Sequence, residues 1–470
     1  MSDSDASDLP LRIALLGLGT VGRDVARGLI GDALHLARAA GGRQLRLVVV
    51  AVREPGRSRG IDIPGVEQTS DVVATVGRPD IDIVVELIGG MEPAGRLVEA
   101  ALDSGHHVVT ANKALLARSG PDLEALARRN GVAFRFEAAV GGGIPVLAPL
   151  ASDLAANHIS RVRGIVNGST NHVLTAMTAG ARPYAEVVAE ARRLGYLEAD
   201  PTADVEGRDA ADKVAILARL AFGCWPDVER MRRGPVTIGG EGSPGITGVT
   251  QTHISAAASL GLVIKLVGLA EQPSGPAARH RADVTGGRGD VTGRPAGGLD
   301  AAADMVCGVV PAAVPSASEL GTTNGVRNLI EVTGSPVGKV AFSGPGAGGT
   351  STSSAILADV AAIARWATST WGGLPAAGRA AYAGDPLDGE RRWLVPLDRA
   401  LRAELPDGFV ERASSPGAEA RSTSPVDTRG AMAGDALALV TFPLSLDVLR
   451  PALRAAGAAG TTVLYPVLED

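Results

Sequence analysis

Cysteine is nearly absent: only Cys224 and Cys307 occur in 470 residues, far apart along the chain. That excludes a disulfide framework and leaves no CxxC pair for a metal. Aromatic residues make up 3% and the formal net charge is -6. A nucleic-acid binder, which needs stacking platforms and a basic face, is therefore not expected. No apolar run approaches the roughly 18 residues of a membrane span. The opening Met1-Ser2-Asp3-Ser4-Asp5 is acidic and polar, unlike a secretion signal or transit peptide. These absences predict a cytoplasmic protein with no membrane partner. The few histidines show no HxxxH spacing for zinc, and neither GxSxG nor an activated-cysteine context occurs. Lysine is scarce as well. Of 45 basic residues only Lys113, Lys213, Lys265 and Lys339 are lysine. A GC-rich genome explains the arginine bias, and it makes the position of each lysine informative.

What is present is organised. Hydrophobic residues make up 45%, enough for a substantial core. At roughly 150 residues per domain the length predicts two to four domains. Leu11–Leu16 reads as a buried strand running into Gly17-Leu18-Gly19-Thr20-Val21-Gly22, followed by a helical pattern to Ile30. Apolar runs at Leu45–Val52, Ile81–Leu87, His106–Thr110 and Val132–Glu137 alternate with helical stretches at Pro93–Ser104 and Pro121–Asn130. Pro121 suits a first helical turn. The repetition predicts an α/β fold, a Rossmann-type doubly wound parallel sheet over 11–140. After Gly141-Gly142-Gly143 the helical patterns lengthen: Ile144–Leu154, Ser169–Thr178, Tyr184–Leu194 and Gly207–Phe222. Mixed with strand-like Ile159–Val166, Leu262–Ala270 and Val337–Phe342, they predict a second α+β domain over 141–339. A segment about 340–368 returns to the first domain. A small C-terminal α+β unit is expected over 370–470, with strand Trp393–Leu397 and a closing Ala436–Thr441, Leu446–Ala456, Thr461–Val467. Residues 1–10 read as a disordered tail, Gly286–Gly298 as an exposed loop, and Ser414–Pro425 as a Ser/Pro/Gly-rich stretch.

Several motifs carry chemistry. Gly17, Gly19 and Gly22 form GxGxxG between a strand and a helix, the context that motif needs. Its glycines allow a tight turn and close approach to a pyrophosphate, with helix N–H groups pointing at it. A plain glycine-rich turn is the alternative. The second strand ends at Arg53, where a reader of a ribose 2'-hydroxyl has Asp or Glu. With Arg57 and Arg59 it points to a 2'-phosphate, hence NADP over NAD; Glu54 next door argues the other way. Lys113, in Thr110-Ala111-Asn112-Lys113, follows the fourth strand directly, at the sheet edge where ligands bind. The segment Gly195–Lys213 holds Glu198, Asp200, Asp204, Glu206, Asp209 and Asp212. Asp209 and Lys213 share a helix face. Spacing alone favours a surface ion pair; the alternative is an acid cluster for an ammonium group, with Lys213 donating a proton to a developing alkoxide. Asn167-Gly168-Ser169-Thr170-Asn171 reads either as a turn plus helix cap or as donors presented to a substrate.

Taken in order, these segments resemble the homoserine dehydrogenases over residues 11–365. The matching pieces are Gly17–Gly22, Val85-Glu86-Leu87-Ile88-Gly89-Gly90, Val108–Lys113, Glu137–Pro145, Gly164–Asn171, Leu194–Lys213 and Gly344-Pro345-Gly346-Ala347-Gly348. The resemblance implies interconversion of L-aspartate 4-semialdehyde and L-homoserine with NADPH or NADH, in threonine, methionine and isoleucine biosynthesis. It implies Lys213 as proton donor, Asp209 beside it, and Lys113 at the nicotinamide–substrate junction. It places Glu198 (on the amino group), Asp204, Gly168 and Ser169 at the substrate, Ser169 standing where the family usually has Thr. Gly17, Gly19, Thr20, Val21, Gly22, Arg53, Ile88, Lys113 and Gly346 fall at the cofactor. Main-chain carbonyls of Glu137, Val140, Gly142 and Ile144 match positions that hold a sodium or potassium ion, hard oxygen ligation that excludes a transition metal. A homodimer or higher homo-oligomer through the second domain is implied too. The closing strand–helix–strand resembles part of a regulatory ACT domain, whereas the opening half of that unit does not. Two rival readings remain. Aspartate-semialdehyde dehydrogenase chemistry needs a cysteine nucleophile with a base nearby, and neither cysteine has that context. A non-catalytic dinucleotide sensor would not need the acid/base set.

Overall fold

The computed structural model describes residues 9–272, 305–377, 383–398, 410–411 and 436–469. Residues 1–8 of the expected tail, the loop Gly286–Gly298 and the stretch Ser414–Pro425 lie outside the described residues. The first sheet consists of β1 Leu11–Leu16, β2 Leu45–Ala51, β3 Glu67–Thr69, β4 Ile83–Glu86, β5 His107–Thr110 and β6 Phe134–Arg135. They are all parallel, in the order β3-β2-β1-β4-β5-β6 of a dinucleotide-binding sheet. Ile13–Leu16 and Ile83–Val85 are fully buried, because helices cover both faces and leave no polar alternation. The C-terminal ends of β1, β4 and β5 therefore open onto one edge, where the loops to α1 (Thr20–Gly31) and α2 (Lys113–Asn130) lie.

Helix α2 departs from the sequence pattern: it begins at Lys113, and Pro121 lies inside it. Asn112 Oδ1 accepts from Leu115 N at 3.2 Å and caps the start. Leu115, Leu116, Leu123 and Leu126 are buried, and Gly120 lies against the Trp225 indole. That packing outweighs the one main-chain hydrogen bond lost at the proline. The expected helix Ile144–Leu154 shortens to Leu147–Ala151.

The second sheet runs β14-β13-β7-β11-β12-β8, with β7 His158–Ile165, β8 Arg232–Arg233, β11 Leu262–Glu271, β12 Val306–Pro315, β13 Arg327–Ser335 and β14 Gly338–Pro345. It is antiparallel except where β8 lies beside β12. Helices α3 (Gly168–Gly180) and α4 (Arg208–Phe222) pack on this sheet, and α4 is buried almost throughout. Helix α5 (Gly349–Trp366) then returns to the first sheet and packs on α1, with Leu357 against Gly28. The third sheet, β10-β9-β18-β15-β17-β16, joins β9 Val236–Thr237 and β10 Gly240–Glu241 to β15 Trp393–Asp398, β16 Val410–Glu411, β17 Ala436–Thr441 and β18 Val463–Pro466. It is antiparallel and carries α6 (Leu446–Ala455). Among the described residues no helix is long and apolar enough to cross a membrane.

Candidate active site

The glycine turn after β1 does two jobs. Gly17 has φ +100°, and a Cβ there would lie 2.7 Å from Leu87 O; one on Gly22 would lie 2.3 Å from Gly17 O. Those two glycines let the turn and the helix start pack tightly. At Gly19 a Cβ would meet nothing within 4 Å, so this glycine faces open space. Helix α1 starts behind it with no side-chain cap. Helix α5 also starts uncapped, behind Gly348 at φ +121°, and the two starts abut: a Cβ on Gly349 would lie 3.0 Å from Thr20 Cγ2. Two sets of unpaired N–H groups and two positive dipole ends thus meet at one edge. This is the environment a pyrophosphate requires.

Beside it, buried Glu86 shapes the next loop. Its Oε1 accepts from Ile88 N and Gly89 N, both at 2.8 Å, and its Oε2 from Thr110 Oγ1 at 2.6 Å. Ile88 is left exposed. Asn112 Nδ2 donates to Gly90 O at 2.6 Å and ties this loop to the start of α2. Arg53 lies exposed past the end of β2 and has no ion-pair partner among the described residues. Glu54 is engaged by Arg57 at 3.7 Å, and its carbonyl accepts from Arg59 at 2.9 Å. Arg23 Nη1 reaches Arg59 O at 3.1 Å, so arginines of α1 and of the loop after β2 share one rim.

A cleft of about 490 Å³ separates the two domains. It is lined by Lys113, Asp204, Asp209 and Lys213, by Gly346, Ala347 and Gly348, and by Gly168 and Ser169 at the start of α3. Gly207, at φ +78°, turns the acid-rich loop into α4 and puts Asp209 in that helix's first turn. Asp209 is shared: Oδ2 lies 2.8 Å from Lys213 Nζ, and Oδ1 lies 3.1 Å from Lys113 Nζ. Lys213 Nζ also donates to Val166 O at 2.7 Å. A lysine has three N–H donors, so one stays free for the cleft. Burial would push the Asp209 carboxyl up. The two ammonium groups, with hydrogen bonds from Lys213 and Asn167, instead hold it well below the usual carboxylate range. Asp209's charge in turn raises Lys113 against its burial. Asp204 is pushed up by burial, with the Asp209 charge adding to it.

Sequence reasoning left the Asn167–Asn171 segment undecided between a helix cap and donors for a substrate; the structure makes Asn167 a cap and also ties it to two carboxylates. Oδ1 accepts from Thr170 N at 2.8 Å and caps α3. Nδ2 donates to Asp204 Oδ1 at 2.7 Å and Asp209 Oδ2 at 2.8 Å, fixing the two carboxylates. Tyr196 also lines the cleft, its ring 4.5 Å from that of His172, and no sequence signal marked it. Glu198 is not brought in: it is exposed and outside the residues lining the cleft.

The turn after β6 is tight. Gly141 and Gly142 have φ +73° and +60°, and a Cβ on Gly142 would lie 2.9 Å from Gly346 O. The Glu137 side chain accepts from Val146 N, Leu147 N and Ala148 N at 2.8–2.9 Å. Among the described residues no donor reaches the carbonyls of Val140, Gly142 or Ile144, although all three residues are buried. Orphaned buried carbonyls of this kind suit a hard cation. No cluster of His, Cys, Asp or Glu suited to a transition metal occurs among the described residues.

Comparison with known proteins covers both domains. The family model for the homoserine dehydrogenase NAD-binding domain matches residues 17–137, and that for homoserine dehydrogenase matches residues 145–361. A homoserine dehydrogenase of Synechocystis sp. is 40% identical over 362 residues, 77% of this chain and 75% of that one. The crystal structure of a homoserine dehydrogenase from Thiobacillus denitrificans superposes with a TM-score of 0.77 at 29% identity, covering 98% of each chain. A hyperthermophilic archaeal homoserine dehydrogenase mutant, solved in complex with NADPH, shares the fold at 24% identity with a TM-score of 0.57, over 75% of this chain and 97% of that one. The chain belongs to the homoserine dehydrogenase family of NAD(P)-dependent oxidoreductases.

Proposed function

We propose that Lys213 is the proton donor of the family reaction, the interconversion of L-aspartate 4-semialdehyde and L-homoserine. The Asp209 carboxylate, shared between two lysine ammonium groups, carries this reading. A reduced nicotinamide, when bound, supplies a hydride to C4 of the aldehyde. The oxygen on C4 gains charge as that happens, and the free N–H of Lys213 stabilises it and passes it a proton. Asp209 fixes Lys213 from one oxygen and Lys113 from the other. Lys113 is the first residue of α2, and in this reading it would lie between the dinucleotide and the substrate. Gly168, Ser169 and half-buried Asp204 form the proposed substrate wall. Glu198 is proposed for the substrate amino group on resemblance alone. NADPH consumption with the semialdehyde tests the core of this: Lys213→Ala should lower kcat about 10²–10⁴-fold, the usual worth of a general acid. Turnover near wild type would reject the role.

The dinucleotide would lie with its pyrophosphate at Gly17, Gly19, Thr20, Val21 and Gly22, beside Ile88 and Gly346. Arg53 has no carboxylate partner among the described residues and lies on a rim rich in arginine, and this supports NADP as the preferred cofactor. The archaeal neighbour solved with NADPH is in line with that choice. Arg53→Ala should raise KM for NADPH while leaving KM for NADH unchanged; an equal effect on both would reject a 2'-phosphate contact. The orphaned carbonyls of the 140–144 turn support a bound sodium or potassium ion, checked by comparing turnover in potassium and choline chlorides. The two domains are proposed as cofactor-binding (11–140 with the α5 return) and substrate-binding with dimerisation (141–339), the assembly being checked by sedimentation equilibrium.

A further inference from the structure

A second lysine-centred cluster lies behind the substrate wall. Lys265, on β11, is 2% exposed and has no carboxylate partner among the described residues. Its ammonium donates to Thr323 O at 2.7 Å, Asn324 Oδ1 at 3.0 Å and Asn171 Oδ1 at 3.1 Å. A cavity of about 270 Å³ adjoins it, lined in part by Thr175, Thr178 and Ser316. An ammonium has three donors, and all are used within the protein, so this cavity is not an anion site.

The bonds act on one segment instead. Asn171, in the first turn of α3 and 1% exposed, places Nδ2 at 3.1 Å from Thr323 O, 2.9 Å from Gly325 O and 3.3 Å from Arg327 O. One turn further along α3, Thr175 Oγ1 accepts from Gly325 N at 3.2 Å. The irregular segment 323–327 is thereby tied to α3 through alternate residues. Val326, in its middle, lines the cleft, and its carbonyl would lie 2.5 Å from a Cβ on Gly168. The segment runs directly into β13, whose Arg327 and Asn328 pair with Pro345 and Gly344 at the foot of the glycine loop. Where 323–327 sits thus decides how wide the cleft is beside Gly168 and Ser169.

We propose that Lys265 is a positioning residue for the substrate: it locks segment 323–327 onto α3 and so fixes the substrate wall of the cleft. The inference rests on the assignment of that wall to Gly168, Ser169 and Asp204. Burying an ammonium without a counter-ion is costly, and burial pushes the Lys265 pKa down to about 8. A neutral amide would avoid that cost but has only two N–H donors, and a guanidinium holds its donors in one plane. Three acceptors drawn from two elements need the tetrahedral, three-donor group.

Steady-state kinetics in the homoserine-oxidising direction on full-length protein decide the matter, with dinucleotide affinity measured separately by fluorescence titration. Lys265→Met should raise KM for L-homoserine about 10- to 100-fold, the range seen when a small misplacement acts at a distance. Its dinucleotide affinity should stay at wild-type level, and kcat should fall by less than KM rises. Asn171→Ala should reproduce the pattern, and serves alone if Lys265→Met does not fold. Asp204→Asn is the reference for the wall itself. Raised KM in Asp204→Asn with normal KM in the clamp variants would overturn the clamp and leave the site intact. Unchanged KM in Asp204→Asn would overturn the assignment of the wall, and the clamp with it. Equal weakening of homoserine and dinucleotide in the clamp variants would show a merely structural lysine and overturn the proposal too.

Discussion

Lys213 and Lys265 in this arginine-rich chain hold positions that an arginine would not fill. Lys213 needs a compact group with one N–H left over after Val166 O and Asp209 are satisfied. In the proposed role it also releases a proton, and a guanidinium does not do so in a protein. Lys213→Arg should therefore lower kcat nearly as far as Lys213→Ala, by at least about 10²-fold, in the same NADPH-consumption assay; activity close to wild type would show that charge alone suffices. The pair Asp209 and Lys213 was visible in the sequence, but its meaning was not. An i, i+4 spacing is common to surface ion pairs and buried catalytic ones. What separates them is the second ammonium, Lys113, which arrives from another domain. Glu198 shows the converse limit. Its place in the acid-rich block suggested the cleft, yet Glu198 lies in the irregular stretch of that block ahead of the helix Thr202–Val205, and such a stretch carries no periodicity that fixes which side chains face inward.

Among the elements, the short helix Leu147–Ala151 depends on a residue outside it. Glu137 accepts the main-chain N–H of Val146, Leu147 and Ala148, donors that the first turn leaves unpaired. The same carboxyl is buried beside Asp359, which takes the Glu137 N–H at 2.8 Å and pairs with Arg135 at 2.7 Å. Burial first, then the Asp359 charge, push Glu137 up to about 7, against the three N–H donors. A carboxyl raised in the folded state favours folding most while it is protonated. Its contribution is complete below the ordinary value of 4.5 and is lost as pH rises through about 7. Melting temperature should therefore fall between those limits in the wild type, with a shallower slope in Glu137→Gln. Parallel slopes would mean that Glu137 is ionised throughout. This cap explains why Ile144–Leu154 read as a longer helix than the one formed: apolar spacing continues across Pro145 and Pro149, whereas the cap comes from a side chain earlier in the chain. Helix α2 was misread at its start for a related reason, since Pro121 announces a first turn and only tertiary packing allows it inside.

At the scale of the molecule, the first sheet was legible because parallel strands buried on both faces write continuous apolar runs between helices. The other sheets were less so. β12 carries two prolines and several small residues, and it passes as a strand only because its neighbours bury it. β9 and β10 have two residues each, and their sheet is completed by β18, more than two hundred positions later. The third unit therefore shares its sheet with the second domain. Between the second and third sheets lies one apolar layer, with Ile165, Val267, Val310 and Val314 on one side and Trp393, Val395, Leu449 and Leu464 on the other. Cutting the chain after residue 377 removes the second set, leaves β9 paired only with β10 and exposes the first. Four aliphatic side chains at roughly 1.5–3 kcal/mol each amount to about 6 kcal/mol or more. At roughly 1 °C per kcal/mol for a chain of this size, that is a loss of at least about 6 °C in Tm. The truncated protein should therefore melt well below the full chain in a calorimetric scan, or be recovered only as aggregate, even though every residue of the cleft is retained. An unchanged Tm with full solubility would show that the third unit only rests on the second domain and does not complete its core.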